Sequence, residues 1–357
     1  MEQRSDLGQL RGQIEGINES LLELLNQRAL LVQQIAELKR GLGLPIYDPL
    51  REKQQIETLQ AANRGPMSPA MVAHVFRELF RASVTYLEQG PSHELLVTRR
   101  TGRTKVVQVG NTPVGAGKPV LIAGPCSVES WEFLEPVARR ASELGLSLLR
   151  GGAFKPRSSP YDFQGLGMQG VELLQRAAEQ YGMSAVTEVT DAALAGEIAQ
   201  KVAMVQVGAR NMFNYELLRT LGRLGKPVLL KRGFGARVDE LLLAAEYLLR
   251  EGNQLVILCE RGIRTFENAT RSTLDISAVC LLKAQTDLPV VVDVSHAAGR
   301  RDILTPLAKA ALAAGADGVM VEVHPHPTAA LSDGGQQLDL EELRELVSAL
   351  SAMATII

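Results

Sequence analysis

Over the first 40 positions apolar residues recur three and four apart, so that Leu10, Ile14, Ile17, Leu21, Leu24, Leu31, Ile35 and Leu38 fall on one stripe. That period predicts one long amphipathic helix, stopped at Gly41 and Gly43. Asp48 before Pro49, and Ser68 before Pro69, each put a capping side chain ahead of a proline at the first helical position. A second and a third helix are expected to start there. Residues 89–104, QGPSHELLVTRRTGRT, lose the period and carry Gly, Pro and charge, as a connecting segment does. The expected organisation is a helical domain over 1–90, a linker over 91–104 and a second domain over 105–357.

Beyond the linker the pattern changes. A hairpin-like KVVQVGNTPVG precedes eight near-continuous apolar runs. These are VLIAGPCS (120–127), LSLLRGG (146–152), SAVTEV (184–189), MVQVGA (204–209), VLLKRG (228–233), LVILCERG (255–262), PVVVDVSH (289–296) and GVMVEVHP (318–325), with amphipathic helical patterns between them. Strands apolar on both faces belong in a parallel sheet covered by helices. Eight such units in this length predict an α/β fold, a closed (β/α)8 barrel of the TIM type. A doubly wound open sheet is the alternative, but its Gly-rich nucleotide turn is absent.

Composition narrows the function. The 357 residues carry a formal net charge of -2, which provides no basic field to draw in nucleic acid or an anionic membrane. Cys126, Cys259 and Cys280 lack a paired spacing, no run of about 18 apolar residues is present, and the opening MEQRSDLGQL is polar. A reduced, cytoplasmic protein acting on small molecules is expected, with Trp131 and Phe133 serving as packing residues.

In a barrel of this kind the chemistry sits at the C-terminal ends of the strands. Those ends read Cys126, Arg150 with Lys155, Glu188, Arg210, Lys231, Arg261, His296 and Glu322, and Asp333 follows in ALSDGGQ. A lone cation after a strand is ordinarily a solvated loop residue. Five around one mouth would repel each other unless a multiply charged anion filled it, and guanidinium forks suit carboxylate and phosphate. Cys126, His296, Glu322 and Asp333 offer a thiolate, an imidazole and two carboxylates, a set suited to a divalent transition metal. Taken singly, Cys126 reads as core filler, His296 as a hydrogen-bonded loop residue and Asp333 as a turn residue.

The motifs GPCS, LRGGAFKPRSSP, VGARNM, KRG, CERGIRTFE, DVSH, VEVHP and LSDG, in that order over 120–340, resemble 3-deoxy-D-arabino-heptulosonate 7-phosphate (DAHP) synthase in its short bacterial subtype. The resemblance implies condensation of phosphoenolpyruvate with erythrose 4-phosphate, releasing phosphate, as the first step of the shikimate pathway. It also implies a divalent metal ion of the Mn, Fe, Co or Zn class. By the same resemblance Arg150, Lys155, Arg210, Lys231 and Arg261 hold phosphoenolpyruvate, Arg157 and Ser158 take the sugar phosphate, and Cys126, His296, Glu322 and Asp333 bind the metal. Lys155 is the candidate proton donor, Glu188 the candidate water-orienting group or partner of Lys231, and His296 stands with them at the reacting centre. Val294 occupies a position where the family commonly has proline. The alternative is 3-deoxy-D-manno-octulosonate 8-phosphate synthase, which condenses with arabinose 5-phosphate and typically carries KANRSS where this chain has KPRSS.

In the helical domain Arg28 interrupts the apolar stripe, and Lys39 lies on nearly the same face. A buried cation needs a partner, and Glu52 is the candidate within the chain. LRGQIEGINESLLELLNQR, ELKR and PIYDPLRE look like the all-helical chorismate mutase. That implies binding of chorismate or prephenate by Arg11, Arg28, Lys39, Asp48, Arg51, Glu52 and Ser83. Leu87 stands where that family places a glutamine or glutamate facing the ether oxygen, and Glu88 is rotated away by the helix. Two roles compete: a working mutase, or a non-catalytic regulatory module that senses chorismate or prephenate for the barrel. The small domain and its stripe also predict a homo-oligomer, a dimer or tetramer. His324, close to Glu322, is expected to support the metal group, and His326 to be solvated.

Overall fold

The computed structural model describes residues 2–45, 47–89, 95–157 and 159–352. It divides into two compact units, Met1–Glu94 and Leu95–Ile357. The first contains α1 (Glu2–Gly41), α2 (Pro49–Ala62) and α3 (Pro69–Gln89). Both expected caps form: Asp48 Oδ1 accepts the Arg51 N–H at 3.1 Å and Ser68 Oγ accepts the Met71 N–H at 3.3 Å. Within this unit the stripe of α1 stays uncovered, from Leu10 and Ile14 to Ile35 and Leu38. The reason is length, since α1 extends about 60 Å while α2 and α3 reach about 21 and 31 Å. Arg28 is satisfied differently from the expectation. Its guanidinium donates to Ser83 Oγ and lies 5.2 Å from the Phe80 ring centroid. Glu52 acts on it only through its charge, opposing the downward push of burial on the Arg28 pKa.

The second unit opens with the hairpin β1 (Val107–Val109) and β2 (Thr112–Val114). Eight parallel strands follow: β3 (Val120–Gly124), β4 (Leu148–Arg150), β5 (Ser184–Glu188), β6 (Met204–Val207), β7 (Val228–Lys231), β8 (Val256–Glu260), β9 (Val290–Asp293) and β10 (Gly318–Glu322). They close into a barrel when β10 pairs with β3, from Gly318 opposite Val120 to Glu322 opposite Gly124. Outside run α4 (Trp131–Glu143), α5 (Met168–Gln180), α6 (Ala192–Lys201), α7 (Tyr215–Arg223), α8 (Val238–Arg250), α9 (Ile276–Gln285), α10 (Val294–Ala298), α11 (Leu304–Ala313) and α12 (Leu340–Ser351). Trp131 packs against the outer core, with the Arg176 guanidinium 4.1 Å from its ring centroid.

Alternate strand positions point inward. Ile122, Leu148, Val186, Met204, Leu229, Ile257, Cys259, Val291 and Met320 fill the barrel and are joined by Val107, Val109 and Val114 of the hairpin. Gly110, at the hairpin turn, lies against Ser184 and Ala203 at the starts of β5 and β6, so the hairpin plugs the end opposite the catalytic face. The apolar runs overshoot the strands. The residues past each strand lie in loops, and DVSH turns into α10 because Asp293 Oδ1 caps the His296 N–H at 3.0 Å.

Two carboxylates fasten residues 95–101 to the barrel. Glu246 accepts the N–H groups of Leu96 and Val97 at 3.1 and 3.0 Å. Asp287 accepts those of Arg100 and Thr101 at 3.0 and 2.9 Å, together with the Thr101 hydroxyl. Removing a buried acceptor leaves its donors unpaired, at about 1–3 kcal/mol. Asp287→Ala is therefore expected to lose that much stability in urea unfolding and to expose residues 95–105 to limited proteolysis.

Candidate active site

The alternation that fills the barrel also aims the cations. On β7 Leu229 and Lys231 face inward while Leu230 and Arg232 face outward. On β8 Ile257 and Cys259 face inward, and Arg261 continues that side. The outward side chains bind each other: Arg232 Nη1 lies 2.9 Å from both Glu260 Oε2 and Asp275 Oδ2, and Glu260 Oε1 accepts the Gly262 N–H at 2.6 Å. This buried network ties the ends of β7 and β8 together and so holds Lys231 and Arg261 in place. Its signal in the sequence is the pair of doublets Lys231–Arg232 and Glu260–Arg261, where charges sit at consecutive positions of buried strand ends.

A cavity of roughly 200 Å³ opens at the C-terminal ends of the strands. Arg150, Lys155, Arg210, Lys231 and Arg261 all line it, as do Arg157, Glu188, His296 and Asp333. Ser158 lies outside the described residues. Gln206, Phe234 and Arg271 also line the cavity and were missed from the sequence. Phe234 has three guanidinium groups around its ring, those of Arg261 at 4.8 Å, Arg264 at 5.0 Å and Arg210 at 5.4 Å. The negative face of the ring offsets part of their mutual repulsion.

Two fully buried acids balance the innermost cations. Arg150 Nη1 lies 2.5 Å from Glu322 Oε1, and Lys231 Nζ lies 2.5 Å from Asp293 Oδ2. The sequence reading offered Glu188 as the partner of Lys231, and the structure corrects this. Glu188 instead accepts from Gln206 Nε2 at 3.2 Å, because Asp293 already meets Lys231 across the barrel. A β-carbon on Gly208 would overlap the Glu188 carboxylate, so the glycine of VGARNM makes room for this acid.

Asp293 Oδ2 also lies 2.7 Å from His296 Nδ1. In that pairing His296 Nδ1–H donates to the Asp293 carboxylate, which leaves the lone pair on Nε2, 3.4 Å from Glu322 Oε1. Burial lowers the His296 pKa against the pull of Asp293 and Glu322. Burial works to raise Glu322, but His296, Arg150 and Lys155 outweigh it and hold its carboxyl far below the usual range. Burial pushes the Cys126 thiol up to about 12, reinforced by Glu322 and opposed by Lys155, whose Nζ is 3.1 Å from Cys126 Sγ.

Ligand atoms of Cys126, His296, Glu322 and Asp333 all lie within 4.8 Å of one another. Bonds of about 2.0–2.3 Å to one central ion span such a group, and its sulfur, nitrogen and oxygen donors suit a divalent transition metal. The residues fit a metal ion. His324 is fully buried and its Nε2 faces Glu129 Oε2 at 3.7 Å, while His326 is exposed.

The helical unit has its own cavity, lined by Arg28, Lys39, Asp48, Arg51, Glu52 and Ser83, with Leu87 contributing an apolar wall. Arg11 does not line it. It lies on the same continuous helix about 25 Å before Arg28, too far for its side chain to reach. The Glu88 side chain is outside the described ones.

Residues 101–357 match the DAHP synthetase I family. The chain belongs to that family. Residues 10–88 match the chorismate mutase type II family. The chain is 53% identical over 249 residues to the phospho-2-dehydro-3-deoxyheptonate aldolase of Thermotoga maritima, spanning 70% of this chain and 74% of that protein. It is 33% identical to the 2-dehydro-3-deoxyphosphooctonate aldolase of Alkalilimnicola ehrlichii, spanning 68% and 94%. Its structure is similar to a crystal structure of the Thermotoga maritima DAHP synthase, with a TM-score of 0.71 and 51% identity, covering 73% of this chain and 77% of that one. A truncated form of the Thermotoga enzyme gives 0.68 and 48%, covering 73% and 96%. The higher identity favours the heptulosonate reaction over the octulosonate one, so this member of the family condenses phosphoenolpyruvate with erythrose 4-phosphate. Among the described residues no helix is long and apolar enough to cross a membrane.

Gly208→Ala is expected to displace Glu188 without touching the cations. Steady-state kinetics should show kcat falling about a hundredfold, the lower range for a positioned acid or base, while KM for phosphoenolpyruvate changes less than about threefold.

Proposed function

We propose that the barrel mouth holds phosphoenolpyruvate through Arg150, Lys155, Arg210, Lys231 and Arg261, and the phosphate of erythrose 4-phosphate through Arg157 and Ser158. The observation that supports this most is the convergence of the five cations on one small cavity beside a four-donor cluster. Cys126, His296, Glu322 and Asp333 would hold the divalent ion, which supplies Lewis acidity toward the aldehyde oxygen. The cations set C3 of phosphoenolpyruvate against the aldehyde carbon, and the new carbon-carbon bond forms there. Lys155 delivers a proton to the developing alkoxide oxygen. Glu188, oriented by Gln206, directs water to C2, and the resulting hemiketal releases phosphate.

Protein stripped with chelator and supplied again with Mn2+ should consume phosphoenolpyruvate rapidly with erythrose 4-phosphate and much more slowly with arabinose 5-phosphate. Equal or reversed preference would overturn the assignment. Lys155→Met should lower turnover at least about a hundredfold, and a loss of only a few-fold would remove its role as proton donor.

For the helical unit we infer a binding site for chorismate or prephenate, a dicarboxylate suited to a cavity with Arg28, Lys39 and Arg51 on its walls. Leu87 cannot donate to an ether oxygen, while the match of residues 10–88 to the chorismate mutase type II family supports a mutase beside the regulatory role. The uncovered stripe of α1 and the distance of Arg11 from the cavity both support a homo-oligomer in which a second copy covers α1. In the full-length chain, Arg28→Ala should abolish inhibition of DAHP formation by prephenate while leaving the uninhibited rate unchanged. Retained inhibition would exclude this cavity as the effector site.

A further inference from the structure

Of the four clustered donors, Asp333 stands on the least regular backbone. It lies between two short turns, Pro327–Ala329 and Gly334–Gln336, with φ 47° and ψ 34°, and it is the only non-glycine residue at positive φ among the described ones. A side chain in that conformation persists only where its surroundings impose it. The restraint comes from the segment that carries Cys126. Glu129, whose side chain is 2% exposed, accepts the Leu331 N–H at 2.9 Å and the Ser127 hydroxyl at 3.1 Å through the same oxygen. Ser127 Oγ is 2.5 Å from Ser332 Oγ. Gln337 fastens the other side, accepting the Cys126 N–H at 3.0 Å and donating to the Ser332 carbonyl at 2.8 Å.

Leu331 and Ser332 are the two residues directly before Asp333, and Ser127 directly follows Cys126. The bonds therefore set the separation of two ligand-bearing positions. The second oxygen of Glu129 is buried without a hydrogen-bond partner, as is His324 Nε2. His324 Nδ1 accepts the His326 N–H at 3.1 Å, so Nε2 carries a proton directed at that carboxylate. This charge-dipole contact keeps Glu129 turned toward Ser127 and Leu331.

We propose that Glu129 is a positioning residue for metal binding: through Leu331 and the Ser127–Ser332 pair it holds Asp333 at the distance from Cys126 that a divalent ion requires. This rests on the metal assignment above, and the test separates the two. Co2+ is titrated into metal-free protein, its affinity measured by chelator competition, and the thiolate-to-cobalt absorption used as the signature of Cys126. Glu129→Ala is expected to weaken Co2+ binding ten- to a hundredfold, the range for outer partners of metal ligands. Ser332→Ala, which removes one hydroxyl and should keep the metal-free melting temperature, is expected to weaken it about threefold or more, in proportion to one lost hydrogen bond. In both variants the affinity of the metal-free protein for phosphoenolpyruvate stays at the wild-type value, which a general loss of structure would not allow. Wild-type Co2+ affinity in Ser332→Ala together with wild-type affinity or no folding in Glu129→Ala overturns the proposal. If Cys126→Ser binds Co2+ as the wild type does, the metal assignment itself falls and this inference with it. If Cys126→Ser loses Co2+ while the other two keep it, only the role of Glu129 falls.

Discussion

Two fully buried carboxylates, Glu322 and Asp293, make the barrel mouth possible. Each touches a cation of the anion site and the same histidine of the donor cluster: Glu322 meets Arg150 and His296, and Asp293 meets Lys231 and His296. Buried cations at these positions need partners, and removing one member of a buried pair costs about 3–5 kcal/mol because the other is left uncompensated. The two acids thus hold the cations before any anion arrives, and they orient His296 at the same time. The cations of the cavity and the four clustered donors share this framework, so a change in one geometry is felt in the other.

Around this framework the barrel separates tasks by face. Inward positions of the strands supply the core, the plug and then the charged mouth, while outward positions at the same strand ends supply Arg232 and Glu260, which hold neighbouring strands together. Glycine appears where the acids need space, as at Gly208 against Glu188. The loops after β3 and β10 carry isolated bridges, Ser127 with Gly152 and Val323 with Leu338, and side-chain bonds join the two loops to each other. Strands place Arg150 and Lys231, and polar loop contacts place Cys126 and Asp333.

The helical unit follows a different logic. Its cavity gathers cations on walls that also include Leu31, Val32 and Ile35, and its Arg28 is held by a hydroxyl and an aromatic face where an acid was expected. Such a cation keeps its charge available for a ligand, because among the described residues no carboxylate neutralises it by direct contact. Leu87 adds an apolar wall to the same cavity.

Much of the site was legible from residues 120–340 alone. Strand period, chain order and chemistry at the strand ends are local properties, and they pointed to the barrel, to all five cations lining the mouth and to the four donors that cluster. Asp293 was passed over because in DVSH it reads as a strand end or a helix cap, and only closure of the barrel brings Lys231 to it. Phe234 and Arg271 were missed for the same reason, since their partners Arg210 and Asp333 are distant in sequence. Arg11 was grouped with Arg28 by motif, yet one straight helix keeps them apart. The sequence by itself determined which chemical groups the chain carries and on which elements. The tertiary structure decided which of them meet, because pairing between buried charges depends on distances across the barrel that no local pattern encodes.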